Sequence, residues 1–368
     1  MSDKYSSVHY HSYLDLDRVL GAQHLRSAEL GRPAHEEMLF IIVHQVYELW
    51  FKQIIHELQS VMEMFEDDLV DEREISTAVA RLRRITKIQE LMIKQITVIE
   101  TMTPLDFLDF RNYLFPASGF QSYQFRVVEI MMGLRTSERL HYNEAPFHAV
   151  FDAARREHLE TLEERRSLLE LLEQWLERTP FLESHEFNFI EEYKKAVQRM
   201  LASERKAIMD SEILTDGTKQ QRLRMLGDTD TYFATVLNPS HHRELREKGE
   251  LKLSYKATIA ALLIHLYREE PILQMPYQLL STLMDIEEHF TNWRQRHAQM
   301  VLRMIGRKTG TGGSSGHAYL AATAREHQIF SDLYNISTLL IPRSELPKLP
   351  DDMKRRLGYY FTANRIPE

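Results

Sequence analysis

Apolar residues recur at every third or fourth position along most of the chain, which is the spacing of helices that bury one face. This spacing predicts long helices over residues 36–65, 75–102 and 277–305. We find no convincing alternation of apolar and polar residues, the pattern of a half-buried strand. The sequence therefore predicts an all-α fold, a bundle of long antiparallel helices.

The middle of the chain is more polar than the two parts on either side of it, which divides the predicted bundle into a core and an insertion. Residues 1–135 and 251–342 are predicted to form the helical core, and residues 136–250 a more polar helical insertion that is not an independent domain. Within the insertion, residues 203–249 are expected to be the loosest part, and residues 343–368 form a tail rich in proline and charge. Shorter helices are predicted over residues 105–114, 120–134, 157–176, 187–209, 253–267 and 318–340.

Composition and charge narrow the function. The chain of 368 residues is 43% hydrophobic and 27% charged, with a net charge of −8, so nucleic acid and anionic membrane are disfavoured as partners. It contains no cysteine, which excludes disulfides, thiolate metal sites and a cysteine nucleophile. It shows neither a signal peptide nor an apolar run of the ~18 residues that span a bilayer. A cytosolic location is expected.

Two histidines lie among apolar residues. His44 shares a helical stripe with Phe40 and Phe51, on a segment whose opposite side is also apolar, so this helix is expected to be buried nearly all round. His297 occupies the core heptad position that follows Phe290, where a leucine or isoleucine ordinarily packs. Each is either a core histidine with both nitrogens hydrogen-bonded or a metal ligand or general base, and neutral imidazole suits iron. The hydrophobic periodicity alone does not decide between a structural and a functional role for these histidines.

Other metal patterns are weak. The HExxH motif is absent, and Glu138 with His141 is the only Glu-x-x-His pair found, where a di-iron carboxylate bundle needs two. The heptads place Arg294 off the core positions. Four further histidines stand in polar surroundings and are expected to be solvated: His9, His11, His241 and His242.

Two stretches suggest an anionic ligand. Arg111 follows Phe107 in an aromatic-rich segment, so its guanidinium either reaches the surface or binds a buried carboxylate, and Ser118 and Gly119 suit a loop that presents backbone N–H groups. The glycine-rich residues 310–316, GTGGSSG, fit neither a dinucleotide fingerprint nor a phosphate-binding loop, because no strand precedes them and Lys308 lies before them. The remaining interpretations of this segment are a mobile lid, an anion-binding turn or a plain linker.

Several of these stretches together resemble the tryptophan 2,3-dioxygenase family, haem enzymes that open the indole ring of L-tryptophan. They occur in the family's order and cover most of the chain. The long insertion favours the larger, animal-type members over the compact bacterial ones. The matching stretches are YHSYLDLDRVLGAQ, HEEMLFIIVHQVYELWFKQ, DFRNYLFPASGFQSYQFR, LSYKATIAALLIHLYREEP, WRQRHAQMVLRMIG, KTGTGGSSG and DLYNISTLLIPR.

The resemblance implies a role for each matching residue. His297 is then the proximal ligand of a b-type haem, ferrous in the active form and one per subunit, and His44 is the distal histidine beside the indole N–H. Bound O2 is added across the indole C2–C3 bond to give N-formyl-L-kynurenine, the first step of the kynurenine pathway. The remaining substrate-binding residues are Phe40, Phe107, Arg111, Ser118, Gly119 and Thr311, with Tyr10, Tyr13 and Leu14 from a neighbouring subunit of a homotetramer.

Two other functions stay open at this point. Relatives that act on a substituted tryptophan or another indole could share every motif, and competition between substrates separates them. A haem sensor or a helical scaffold could keep the fold without catalysis, although Arg111 and Thr311 argue against a scaffold, which needs no amino-acid clamp.

Overall fold

The computed structural model describes residues 7–67, 70–140, 147–180, 182–184, 187–310 and 316–358. Helices dominate these residues, and the strands among them are β1 (Glu183–Ser184) and β2 (Phe187–Asn188), an antiparallel pair. The all-α prediction is confirmed. The helices are α1 (Tyr10–Tyr13), α2 (Leu16–Leu20), α3 (Arg26–Glu29), α4 (Glu36–Phe65), α5 (Glu72–Ile99), α6 (Pro104–Arg111), α7 (Tyr123–Met132), α8 (Ala153–Glu164), α9 (Leu168–Glu177), α10 (Phe189–Asp210), α11 (Asp216–Val236), α12 (Pro239–Glu247), α13 (Tyr255–Leu266), α14 (Gln274–Ile305), α15 (His317–Glu326), α16 (Ser331–Asn335) and α17 (Asp351–Leu357).

Three long helices form the centre of the fold. Helix α5 packs against both α4 and α14, and the shared interface buries Leu58, Leu82 and Ile286 completely. Burying such a side chain stabilises the fold by about 1.5–3 kcal/mol relative to leaving it exposed. This core holds the middle of α4 and α14, and therefore the residues that those helices carry, in a fixed relation.

Two predicted helices are interrupted. Residues 157–176 were expected to be continuous, but α8 ends at Glu164 and α9 begins after Ser167, whose N–H donates to the Glu170 carboxylate at 2.7 Å. Residues 318–340 divide between α15 and α16, because the buried Glu287 carboxylate accepts the backbone N–H groups of residues 329 and 330. In both places a polar side chain satisfies N–H groups that a helix would bond internally.

The prediction that residues 203–249 are loosely structured is wrong. Most of residues 203–249 belong to α10, α11 and α12, and the asparagine side chain of Asn238 accepts hydrogen bonds at the start of α12. Phe233 in α11 is buried. Helix α9 of the predicted insertion packs on α13 and α4 of the predicted core. The division of the chain into core, insertion and tail stays a prediction.

Helix α4 is less enclosed than expected. Ile42 and Leu49 are 43% and 56% exposed, so the prediction of burial nearly all round is wrong for the single chain. Among the described helices α4 alone is long and apolar enough to cross a membrane by length and composition. Its other sides pack on α5, α7 and α9, and the buried carboxylates of Glu37 and Glu57 lie on it. These contacts are those of a bundle helix in a globular protein.

Candidate functional site

A cavity of about 640 Å³ lies between α4, α6, α7, α14 and α15, and most of its wall is apolar. Gly310 and Gly316, the described residues on either side of positions 311–315 in the glycine-rich segment, also line it. Thr311 lies outside the described residues. The wall includes seven of the residues singled out from the sequence: Phe40, His44, Phe107, Arg111, Ser118, Gly119 and His297.

His44 faces this cavity from α4. Its Nδ1 lies 2.7 Å from the backbone oxygen of Phe40. A carbonyl only accepts, so Nδ1 carries the proton and Nε2 keeps a free lone pair. Burial lowers the pKa of His44 against the opposing effects of this hydrogen bond and of Glu48, so the ring is neutral at pH 7.

His297 faces the same cavity from α14. Burial, together with nearby His44, lowers its pKa to about 4, so this imidazole is also neutral at physiological pH. Its ring lies parallel to that of Trp293 one helical turn earlier, with centroids 5.6 Å apart and planes 20° apart. Among the described residues none donates to or accepts from its ring nitrogens, so His297 is not a core histidine with both nitrogens hydrogen-bonded.

Aromatic rings form one wall. The ring of Phe40 lies 4.1 Å from that of His44 and 5.7 Å from that of Phe107, and Phe110 packs edge-on against both phenylalanines. The helix that carries Phe107 and Phe110 is fixed at its start by Thr103, whose side chain caps α6. A flat apolar surface is thus held next to the imidazole ring of His44.

Arg111 ends α6 at the rim of the cavity. Its Nη2 donates to the backbone oxygen of Thr309, directly before the glycine-rich segment. Ser118 is a less open anion site than expected, because its N–H donates to the Gln121 side chain at 3.2 Å and its hydroxyl accepts from Phe120. Gly119 lines the cavity beside it. Arg111 is therefore the better-placed of these groups to bind a carboxylate.

The N-terminal residues lie elsewhere. Tyr10, Tyr13 and Leu14, in and just after α1, are exposed and do not line the cavity of their own chain. Their predicted role in a neighbouring subunit stays a prediction.

Several cavity residues were missed by the sequence analysis, and among them are Arg126, Glu129, Arg294 and His327. Arg294 was expected off the core positions, yet it is 6% exposed and its Nη2 lies 3.0 Å from the Glu129 carboxylate. The sequence feature that could have revealed this buried ion pair is Glu129, a charged residue inside the apolar run VVEIMM at residues 127–132. A glutamate in such a run is buried only with partners.

One of the four histidines expected to be solvated is instead buried. His242 is enclosed, with Nδ1 3.2 Å from the Val236 oxygen and Nε2 3.0 Å from the Leu253 oxygen, whereas His9, His11 and His241 are exposed. Its two contacts are with backbone carbonyls, which are ordinary structural partners. Within the described part of the chain, no group of three or more histidine and carboxylate side chains forms a metal site.

Comparison with known proteins places the chain in a family. Residues 2–340 match the family model described as tryptophan 2,3-dioxygenase. The chain belongs to the tryptophan 2,3-dioxygenase family. Membership makes it an oxidoreductase of the dioxygenase class.

Relatives with that name come from distant organisms. The Bdellovibrio bacteriovorus tryptophan 2,3-dioxygenase is 48% identical over 358 residues, which cover 97% of this chain and 100% of the relative. The Dictyostelium discoideum protein is 45% identical over 356 residues, 96% and 89% of the two chains. Tryptophan 2,3-dioxygenase B of Danio rerio is 46% identical over 342 residues, 92% and 84%. Because a bacterial relative aligns over nearly the whole chain, the expectation that the insertion marks an animal-type member is wrong.

Proposed function

We propose that this protein is a haem-dependent dioxygenase that adds both atoms of O2 across the indole C2–C3 bond of L-tryptophan to give N-formyl-L-kynurenine, the first step of the kynurenine pathway. The observation that carries the proposal is the convergence of two neutral imidazoles, His44 and His297, on one apolar cavity with Arg111 at its rim. Family membership supplies the reaction, and this arrangement supplies groups suited to it.

His297 is the residue that holds the haem. Its ring nitrogens have no partner among the described residues, it is neutral, and the cavity beside it is apolar, which together suit a proximal ligand of haem b. The stacked Trp293 restricts rotation of the ring and so fixes the direction of its lone pair. A b-type haem held there, one per subunit, would supply the ferrous iron that the chemistry of O2 requires.

His44 positions the indole. Its Nε2 is the free acceptor, because Nδ1 donates to the Phe40 oxygen, and an indole N–H is a donor only. A hydrogen bond from the indole to Nε2 lays the ring against Phe40 and Phe107. His44 therefore orients the substrate, and its lowered pKa makes it a weak base.

The amino-acid end of tryptophan lies at the rim. Arg111 binds the carboxylate through its planar fork of donors, and Ser118 and Gly119 form the adjoining wall. Thr311 contacts the amino-acid head group, and the cavity-lining Gly310 and Gly316 bring the two ends of its segment to the site.

The active assembly is a homotetramer in the cytosol. Tyr10, Tyr13 and Leu14 complete the pocket of a neighbouring subunit, and their exposure leaves their apolar surface available to it. The exposed apolar face of α4, with Ile42 and Leu49, is also suited to burial between subunits.

An absorbance spectrum tests the proposed reaction. The full chain, supplied with haem and reduced by ascorbate, is expected to show a Soret band and, after O2 and L-tryptophan are added, the absorbance of N-formylkynurenine. Competition with D-tryptophan and methylated indoles reports the preferred substrate. A normal Soret band without any product indicates a haem sensor and contradicts the proposal.

A further inference from the structure

Charged side chains meet inside the protein beside the cavity. The Glu129 carboxylate lies 2.7 Å from Arg126, 2.6 Å from Arg139 and 3.0 Å from Arg294. None of these four side chains is more than 10% exposed. We name these four residues the arginine cluster. Its members come from α7, the turn that follows α7, and α14.

The arginine cluster has too few negative charges. Glu129 is the only carboxylate within ion-pair distance of its three guanidinium groups in the described ranges. His327, 3.9 Å from Glu129, adds none: the Leu140 N–H donates to its Nε2 at 3.0 Å, so Nε2 holds the lone pair and Nδ1 the proton. Burial opposes ionisation of Glu129, but the arginines outweigh it and hold its pKa well below the ordinary value. Three positive charges thus face one negative charge.

The surplus is also a surplus of hydrogen-bond donors. Nε of Arg126, and Nε and Nη2 of Arg139, are buried without a hydrogen-bond partner. A buried donor left unpaired costs about 1–3 kcal/mol, and more when it is charged. Arg126 is 8% exposed and lines the cavity, as do Glu129 and Arg294. An anion in the cavity next to Arg126 would offset part of the surplus positive charge.

The substrate carboxylate already has a partner. Arg111 ends α6 and bonds to Thr309, whereas the arginine cluster lies on α7 and α14. Arg294 lies on the same helix as His297, three residues before it. A b-type porphyrin carries two carboxylates on its edge in addition to its central metal.

We infer that Arg126 of the arginine cluster binds a carboxylate of the porphyrin edge, with Glu129, which also pairs with Arg294, holding its guanidinium in place. The inference rests on the proposed haem function. It assigns to the cluster a carboxylate-binding role distinct from that of Arg111.

Binding of haem and of haem dimethyl ester, in which both carboxylates are masked, tests this role. Titration of the haem-free full chain, followed by the Soret band, is expected to give an affinity for haem at least tenfold above that for the ester. In Arg126→Leu the ratio falls towards one, and Arg126→Lys keeps part of it. Arg139→Leu, which removes a cation of the cluster that does not line the cavity, retains the ratio.

Each other outcome overturns the inference. Equal affinities in the unaltered protein leave the haem function standing but remove the carboxylate contact. A ratio that persists in Arg126→Leu means that the methyl groups, and not the lost charge, exclude the ester. If Arg126→Leu instead loses the preference for tryptophan over tryptamine, the cluster binds the substrate carboxylate. If neither porphyrin binds, the proposed function fails as well.

Discussion

His44 and His297 have the same side chain and face the same cavity, yet their nitrogens differ. His44 uses one nitrogen on the Phe40 carbonyl, whereas His297 has no such partner among the described residues. The sequence identified both as histidines among apolar residues. It could not assign their protonation, because the decisive partner of His44 is a backbone oxygen, which has no signature in residue identity.

Arg111→Ala is expected to raise the KM for L-tryptophan at least about tenfold. A hydrogen bond to a charged group contributes about 1.5–3 kcal/mol, and a tenfold change corresponds to about 1.4 kcal/mol. Steady-state kinetics measure the change, and tryptamine, which lacks the carboxylate, serves as the matched substrate with an unaltered KM. An unchanged KM for tryptophan removes Arg111 from the substrate site.

His297→Ala is expected to purify without stoichiometric haem, because the variant lacks the imidazole that we propose as the iron ligand. The ratio of Soret to protein absorbance measures haem content. His265→Ala is the control, since His265 is also buried and neutral but bonds to the Ala261 oxygen and does not line the cavity. A normal Soret band in His297→Ala contradicts the ligand assignment.

At the level of elements, the hydrophobic period predicted the long helices well, and α4 has the predicted ends. The hydrophobic period did not predict the places where a polar side chain ends a helix. The break before α9 depends on Ser167 and Glu170, and the break before α16 depends on Glu287, which lies 42 residues away in sequence from the N–H it accepts. A prediction from neighbouring residues alone cannot include Glu287, because it is too far from residue 329 in sequence.

Gly133→Ala tests the junction between α7 and α9. Gly133 has φ +131°, and an added Cβ would lie 2.9 Å from Cβ of Leu169, so both the backbone and the packing oppose a side chain. We expect a loss of about 2–4 kcal/mol in the free energy of unfolding, measured by urea denaturation.

Gly227→Ala is the matched control for this substitution. Gly227 lies inside α11, and its added Cβ meets nothing within 4 Å. Replacing glycine by alanine in a helix stabilises it by about 1 kcal/mol. Equal effects of the two substitutions would show that the close approach at Gly133 is unimportant.

At the scale of the whole molecule, the ion pairs of Glu129 connect segments that the sequence separates widely. Arg294 lies 165 residues from Glu129. The charged residue in VVEIMM was visible in the sequence, but its partners were not, because three of the many arginines had to be selected by the tertiary fold. The bundle was predictable from local pattern, and this network was not.

Glu129→Gln is expected to lower the free energy of unfolding at pH 7 by about 3–5 kcal/mol, because it leaves buried arginines unpaired. The folded pKa of Glu129 lies well below its ordinary value of 4.5. Its stabilisation is therefore complete above about pH 4.5 and is lost as pH falls from there towards the folded pKa. Urea unfolding at pH 7 and at pH 4 should accordingly show a smaller difference in the variant than in the unaltered chain.

Glu191→Gln is the control for this experiment. Glu191 pairs with Lys194 at 3.3 Å on the surface, where ion pairs contribute little, so stability is expected to change little at either pH. An equal response to pH in the Glu129 variant and the unaltered chain would contradict the role given to that carboxylate.

The bond between His44 and the Phe40 oxygen has a consequence for mutational tolerance. Its acceptor belongs to the peptide backbone of α4, so every residue other than proline at position 40 that keeps the helix offers the same oxygen. The wall of the pocket can therefore be reshaped by substitution at position 40 while the tautomer of the histidine stays the same. The shape of the pocket wall can thus change at position 40 while Nε2 of His44 remains the hydrogen-bond acceptor.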